Sequence, residues 1–177
     1  MQVGLIGNMN GNLLSLTRYL RDNGVDAQLL SLNNEPSHFK PGAFYFDANM
    51  DAFCKEVEWG DFSTFTWRNT PKLKEMLRLD PGIKSKVQSD LSPFDVLIGC
   101  GAAPAFVNLA DRNLSAFCPY GEDLYGSTKY RFKKFTSDTF FSRASIKYNL
   151  DHLAFVKCQR RGIKQSLNIF GNQFGMK

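Results

Sequence analysis

The opening stretch MQVGLIGNMNGNLLSLTRYLRDNGVDAQLLSL limits the fold more than any other part of the chain. Val3 to Ile6 is a short apolar run of the kind found in a central parallel strand, which is covered on both faces. Gly7-Asn8-Met9-Asn10-Gly11-Asn12 then turns the chain, and Leu13, Leu14, Leu16, Thr17 and Leu20 recur at helical spacing. Asn10 or Asn12 is placed to cap the start of that helix. Gly24 stands where a helix end favours a residue tolerant of positive φ, and Ala27 to Leu32 supplies a second strand. Strand, helix and strand within about thirty residues make a βαβ unit, whose crossover is right-handed in nearly all proteins. The expectation is an α/β protein, with helices on both sides of a mainly parallel sheet.

Later sequence repeats the alternation. Phe94–Gly101 (FDVLIGCG) reads as a buried strand entered through an aspartate, and AAPAFVNLADRN as a helix with Pro104 in its first turn. Leu114–Tyr120 (LSAFCPY) reads as another strand, with Ser115–Cys118 at its centre, and runs straight into GEDLYG. Ile146, Leu150, Leu153 and Ala154 mark an amphipathic helix, and Ser166–Phe170 (SLNIF) one more strand. Between these units, residues 33–70 are irregular and rich in aromatics, with Phe44–Phe46 and Phe62–Trp67 as short strands or packed loops. Lys72–Leu79 has helical spacing, with Pro71 at N1. A break at Asp80-Pro81-Gly82 precedes a polar helical stretch to Leu91. No internal repeat and no low-complexity linker divides the chain, so residues 1–177 are expected to form one domain.

Charge is distributed unevenly. Residues 126–177 carry eleven Lys/Arg against two Asp/Glu, whereas residues 1–125 carry eleven against fifteen. The basic final third is suited to nucleic acid, an anionic lipid surface or a phosphorylated ligand if Lys133, Lys134, Arg143, Arg160 and Arg161 share a face, with lipid expected and nucleic acid not; otherwise it is a solvated helix face. No apolar run reaches the ~18 residues of a membrane span, and no basic, then apolar, leader opens the sequence. Cys54, Cys100, Cys118 and Cys158 are far apart with no CxxC pair, which points to reduced thiols, no zinc site and a cytoplasmic protein. His38, in the Pro36–Pro41 loop, and His152, in a helix, read first as packing or surface residues.

Two loops following strands are the candidate site. Residues 8–12 are not a dinucleotide fingerprint, because Gly7 and Gly11 are four apart and no acid ends the second strand. Gly121–Thr128 (GEDLYGST) approaches a P-loop, but Ser127 replaces the essential lysine, and Glu122 and Asp123 would repel a polyphosphate. No DxD pair is present, so no metal and no bound cofactor is expected. What remains is a cluster of amides, Asn8, Asn10 and Asn12, around a backbone that Gly11 lets approach a ligand. Paired donors and acceptors without charge suit sugar hydroxyls; the competing reading is that the asparagines only cap and turn the chain.

The opening thirty residues, FDVLIGCGAAPAF, FCPYGEDLY and QRRGIKQSLNIF together resemble the N-terminal, acceptor-side domain of GT-B glycosyltransferases of the large retaining class (family 4-like). The resemblance covers most of the chain loosely. It implies a Rossmann-like α/β/α domain, a nucleotide-sugar donor, a glycan or lipid-linked acceptor, and a role in surface polysaccharide synthesis. It also implies substrate contacts at Asn8, Asn10, Gly11, Asn12, Gly101, Tyr120, Gly121, Glu122 and Asp123, with no catalytic residue assigned. In many relatives the later strand ends in His-Gly-x-Asp; here Gly121 and Asp123 match and Tyr120 replaces the histidine. The acidic motif of the donor-binding second domain has no counterpart. The chain alone is thus expected to be inactive, whether a fragment or half of a split enzyme, cytoplasmic and peripheral on the inner face of the membrane. Two alternatives are a non-catalytic glycan- or nucleotide-binding module and a flavodoxin-like nucleotide or regulatory module.

Overall fold

The computed structural model describes residues 1–32, 36–41, 49–59, 81–121, 123–124, 128–129 and 143–170. These form a five-stranded, all-parallel sheet with four helices. The strands are β1 (Gln2–Ile6), β2 (Asp26–Leu32), β3 (Cys54–Val57), β4 (Val96–Gly99) and β5 (Ala116–Phe117). Their order across the sheet is β3-β2-β1-β4-β5. Helix α1 (Asn12–Asp22) joins β1 to β2, α2 (Pro81–Leu91) precedes β4, α3 (Ala103–Leu109) joins β4 to β5, and α4 (Arg143–Gln165) follows β5. This order reverses between β1 and β4, as in Rossmann-like sheets. A flavodoxin-like sheet would place β3, not β4, beside β1, so the strand order is not the flavodoxin-like one.

Alternation along the strands explains the layers. Leu5, Leu29 and Ala27 join Leu13 and Leu14 of α1 on one face. Ile6, Leu30 and Leu97 face the other way, into a larger cluster with Val87, Leu91, Phe106, Phe155 and Val156 from the remaining helices. Side chains of this type, fully buried, contribute about 1.5–3 kcal/mol each, so the two clusters decide which face each helix covers. At the end of α1, Gly24 has φ 77° and its N–H reaches the Arg21 carbonyl at 2.9 Å, which closes the helix as its sequence suggests. Arg112 clasps the end of α2, donating to the carbonyls of Leu91 and Phe94.

The expected strands 3–6, 27–32 and 96–99 are present, and the 115–118 stretch is reduced to a two-residue strand. Ser166–Phe170 forms only a single parallel bridge, Ile169 to Phe117. Strand β3 lies inside the stretch that reads as irregular; two of its four residues, Lys55 and Glu56, are exposed. Pro81 and Gly82, read as part of a break, begin α2, where proline belongs. Residues 44–46, 62–67 and 72–79 lie outside the described residues, as do Lys133 and Lys134.

Helix α4 packs against α3 at unusually close range. A Cβ built on Gly162 would stand 2.0 Å from the Pro104 carbonyl oxygen. Gly162→Ala would ordinarily favour a helix by about 1 kcal/mol, yet here it must push two helices apart. We expect it to lower stability by about 1–3 kcal/mol, the usual cost of overpacking. Arg161→Ala, one residue away and exposed, should stay within about 0.5 kcal/mol of the parent in urea unfolding.

Candidate functional site

Three loops meet at the carboxyl edge of the sheet, where β1 and β4 diverge. After β1 the backbone makes a tight left-handed passage: Gly7, Asn10 and Gly11 have φ of 81°, 56° and 72°. Asn10 tolerates this conformation better than most side chains, and Gly11 stands at the N-cap of α1. The cap oxygen comes from farther back. Asn8, fully buried, accepts the Leu14 N–H through Oδ1 at 2.9 Å and donates Nδ2 to the Phe39 carbonyl at 2.7 Å. It therefore fastens the helix start to the loop after β2, and neither Asn10 nor Asn12 supplies a side-chain cap. Asn10 and Asn12 are exposed. His38 is exposed beside this loop, its ring 4.1 Å from that of Phe39.

Loops after β4 and β5 complete the edge. Tyr120 is half-buried, and the side chain of Asn12 lies close enough to its hydroxyl to favour the ionised phenol. That approach brings together the two loops singled out in the sequence. Gly101 turns at φ 59° beside Met9, whose sulfur would lie 3.8 Å from an added Cβ. Gly121 has φ 103° with open space around it. Glu122 lies outside the described residues. Asp123 belongs to the loop but turns inward and is fully buried. Its Oδ2 accepts the Gly101 N–H at 2.9 Å and its Oδ1 the Tyr120 N–H at 2.7 Å.

Gln159 of α4 finishes this buried knot, and sequence reasoning missed it. Its Oε1 accepts the Ala105 N–H at 3.1 Å, and its Nε2 donates to the carbonyls of Gly101 at 2.8 Å and Asp123 at 3.4 Å. A signal was available: Gln159 is the one polar residue in the stripe Phe155, Gln159, Ile163, spaced four apart on the buried side of the helix. Cys100 and Cys118, one residue past the last paired positions of β4 and β5, stand near Tyr120.

Electrostatically the edge is quiet. Burial pushes the Tyr120 phenol up, against the lowering effect of Asn12. Burial and then the Asp123 charge push the Cys118 thiol up. For Asp123, burial raises the carboxyl above its ordinary value, although the N–H groups of Tyr120, Gly101, Asp123 and Leu124 pull it back. Phenol and thiol thus stay protonated at neutral pH. Among the described residues, no group of three or more His, Cys, Asp or Glu is gathered as metal ligands, and no helix is long and apolar enough to cross a membrane. A separate cavity of about 380 Å³ lies by β3, lined by Lys55, Glu56, Val57, Glu58, Lys86 and Asp90. There Asp90 accepts Lys55 at 2.6 Å and the Trp59 indole at 2.8 Å, and these contacts outweigh burial to hold its carboxyl low.

Comparison of the chain with protein-family models, with curated proteins and with solved structures finds no match.

Asp123→Ala removes the acceptor of two backbone N–H groups and should cost about 2–6 kcal/mol in urea unfolding, at ~1–3 kcal/mol per buried group left unpaired. A carboxyl whose folded-state pKa stands above its unfolded value keeps its proton longer in the native chain. Its contribution to stability is full below the ordinary range and fades as pH rises through the folded value. The stability lead of the parent over Asp123→Ala should therefore widen as pH falls from neutral toward 4, the ordinary carboxylate value.

Proposed function

We propose that this chain is the acceptor-side domain of a GT-B-type, retaining sugar transferase, which uses a nucleotide-activated sugar to build a surface polysaccharide. The observation that carries the reading is the approach of Asn12 to Tyr120 across the reversal in strand order. In open α/β sheets that reversal opens a crevice at the carboxyl ends of the strands, where ligands bind. Exposed Asn10 and Asn12, with half-buried Tyr120, offer uncharged donors and acceptors on its rim. Such a rim suits hydroxyl-rich ligands better than a naked polyphosphate, for which arginine and lysine are the usual partners. The acceptor is then a glycan or lipid-linked glycan.

Within this reading Asn12 and Tyr120 bind acceptor hydroxyls, Gly11 and Gly101 allow close backbone approach, and Asn8 and Asp123 position the loops that carry them. Retaining transfer asks for no strong base on the acceptor side, so tyrosine in place of histidine is compatible with activity. A second reading, a non-catalytic glycan- or nucleotide-binding module, draws support from the same chemistry. Asp123 is walled in by backbone N–H groups, and neither the Tyr120 phenol nor the Cys118 thiol is a ready base at neutral pH.

Saturation-transfer NMR with oligosaccharides and nucleoside-diphosphate sugars tests both. Binding is expected near Asn10–Asn12 and Tyr120 with a Kd of order 1 mM, and no sugar transfer by the chain alone. Tyr120→Phe and Asn12→Ala should each weaken binding about 3–10-fold, the loss of one hydrogen bond, with folding unchanged. Efficient turnover by the isolated chain, or binding untouched by both substitutions, overturns the proposal. Oligosaccharide binding without any nucleotide-sugar binding selects the second reading.

A further inference from the structure

The sheet has an apolar outer border beyond β5. Phe117 donates its N–H to the Asn168 carbonyl at 2.9 Å, and Phe170 donates to the Phe117 carbonyl at 2.8 Å. Residues 168–170 therefore lie alongside β5 in parallel. Alternate residues of an extended strand turn their peptide groups to opposite edges, so the peptide groups of Ile169 face outward. Among the described residues they have no backbone partner. The side chains are equally bare: Leu167 is 74% exposed, Phe170 65% and Ile169 43%. Apolar residues on both faces belong to a strand covered on both sides, and proteins rarely leave such an edge open.

Helix α4, which leads into this segment, contributes charge. Lys157, Arg161 and Lys164 are exposed and fall on one outward face by their spacing of four and three residues. No carboxylate among the described residues forms a salt bridge with any of them.

We propose that Leu167–Phe170 is a docking edge for an extended, acidic segment of a partner protein, which joins the sheet as an added strand. The outward peptide groups of Ile169 supply the hydrogen bonds of strand addition. Leu167, Ile169 and Phe170 supply apolar contact, and the α4 cations select negative charge. A second copy of the chain fits less well. Edge-to-edge antiparallel pairing about a two-fold axis normal to the sheet would set both α4 helices on the same face. It would thereby bring their lysines and arginines together. A nucleic acid would read the cations and leave the apolar border and the Ile169 peptide without a role. The inference is independent of the sugar-transfer reading.

The test uses the full chain and two synthetic nine-residue peptides. Each has a valine-isoleucine core, flanked in one by glutamates and in the other by lysines. The glutamate peptide should bind, slow hydrogen exchange at the Ile169 N–H by about 10-fold or more, and bind less tightly as salt rises. Ile169→Pro, which deletes the outward N–H, should cut affinity by about 10-fold or more. The exposed double change Lys157→Glu with Arg161→Glu should cut it similarly with unchanged melting temperature. Equal binding of both peptides, exchange protection that bypasses Ile169, or full affinity in the double variant overturns the proposal. So does a peptide-free chain that sediments as a dimer and becomes a monomer in Ile169→Pro.

Discussion

The carboxylate of Asp123 and the amide of Gln159 together hold the carboxyl edge of the sheet. Between them they engage the loop after β4, the loop after β5, the first turn of α3 and the middle of α4. Each partner group is a backbone N–H or C=O that would otherwise be buried without a hydrogen bond, at a cost comparable to a whole side chain's worth of packing. The apolar clusters decide which face each helix covers, but they are indifferent to small slides along the strands. Directional hydrogen bonds from two fully buried side chains are not. They set where Gly101 and Tyr120 stand, and so set the rim opposite Asn12.

That arrangement separates two jobs that the sequence presents as one. The stretches Asn8–Asn12 and Tyr120–Asp123 each look like a continuous polar loop. In three dimensions each divides into an inward residue and an outward one. Asn8 and Asp123 spend their polar atoms on the fold, whereas Asn10 and Asn12 are exposed and Tyr120 is half-buried. Among the described residues the outcome is a rim of uncharged side chains, Asn10, Asn12 and Tyr120, held in place by polar groups out of reach of solvent. A rim of that kind discriminates by the geometry of donors and acceptors, and is little affected by salt.

The legible parts of the fold were those governed by periodicity over several residues. Strands β1 and β2 are apolar runs largely buried on both faces, β4 is an apolar run buried on one face and partly covered on the other, and α1 is closed by a glycine at the required φ. Strand β3 escaped notice because Lys55 and Glu56 face solvent, so the four residues carry no apolar run. The cap of α1 was misassigned because the oxygen comes from Asn8, four positions before the helix, by way of a left-handed turn that propensity does not encode. Placement of both loops on one edge was legible, since parallel strands all end on the same side. Whether Asp123 turned inward was not, because that depends on Gln159, thirty-six residues later in the chain.

The central strand also imposes an order of events. β1 finds its first neighbour, β2, across 24 residues, but its second, β4, only across 93. The edge is not locked until Gln159 has joined. Contacts so far apart in sequence must overcome loop-closure entropy before they return any energy, which makes parallel sheets slow to form. During synthesis from the N-terminus, the β1–α1–β2 unit therefore emerges with one flank of its most apolar strand bare. Its loop of asparagines acquires an opposite bank only when nearly the whole chain has been made.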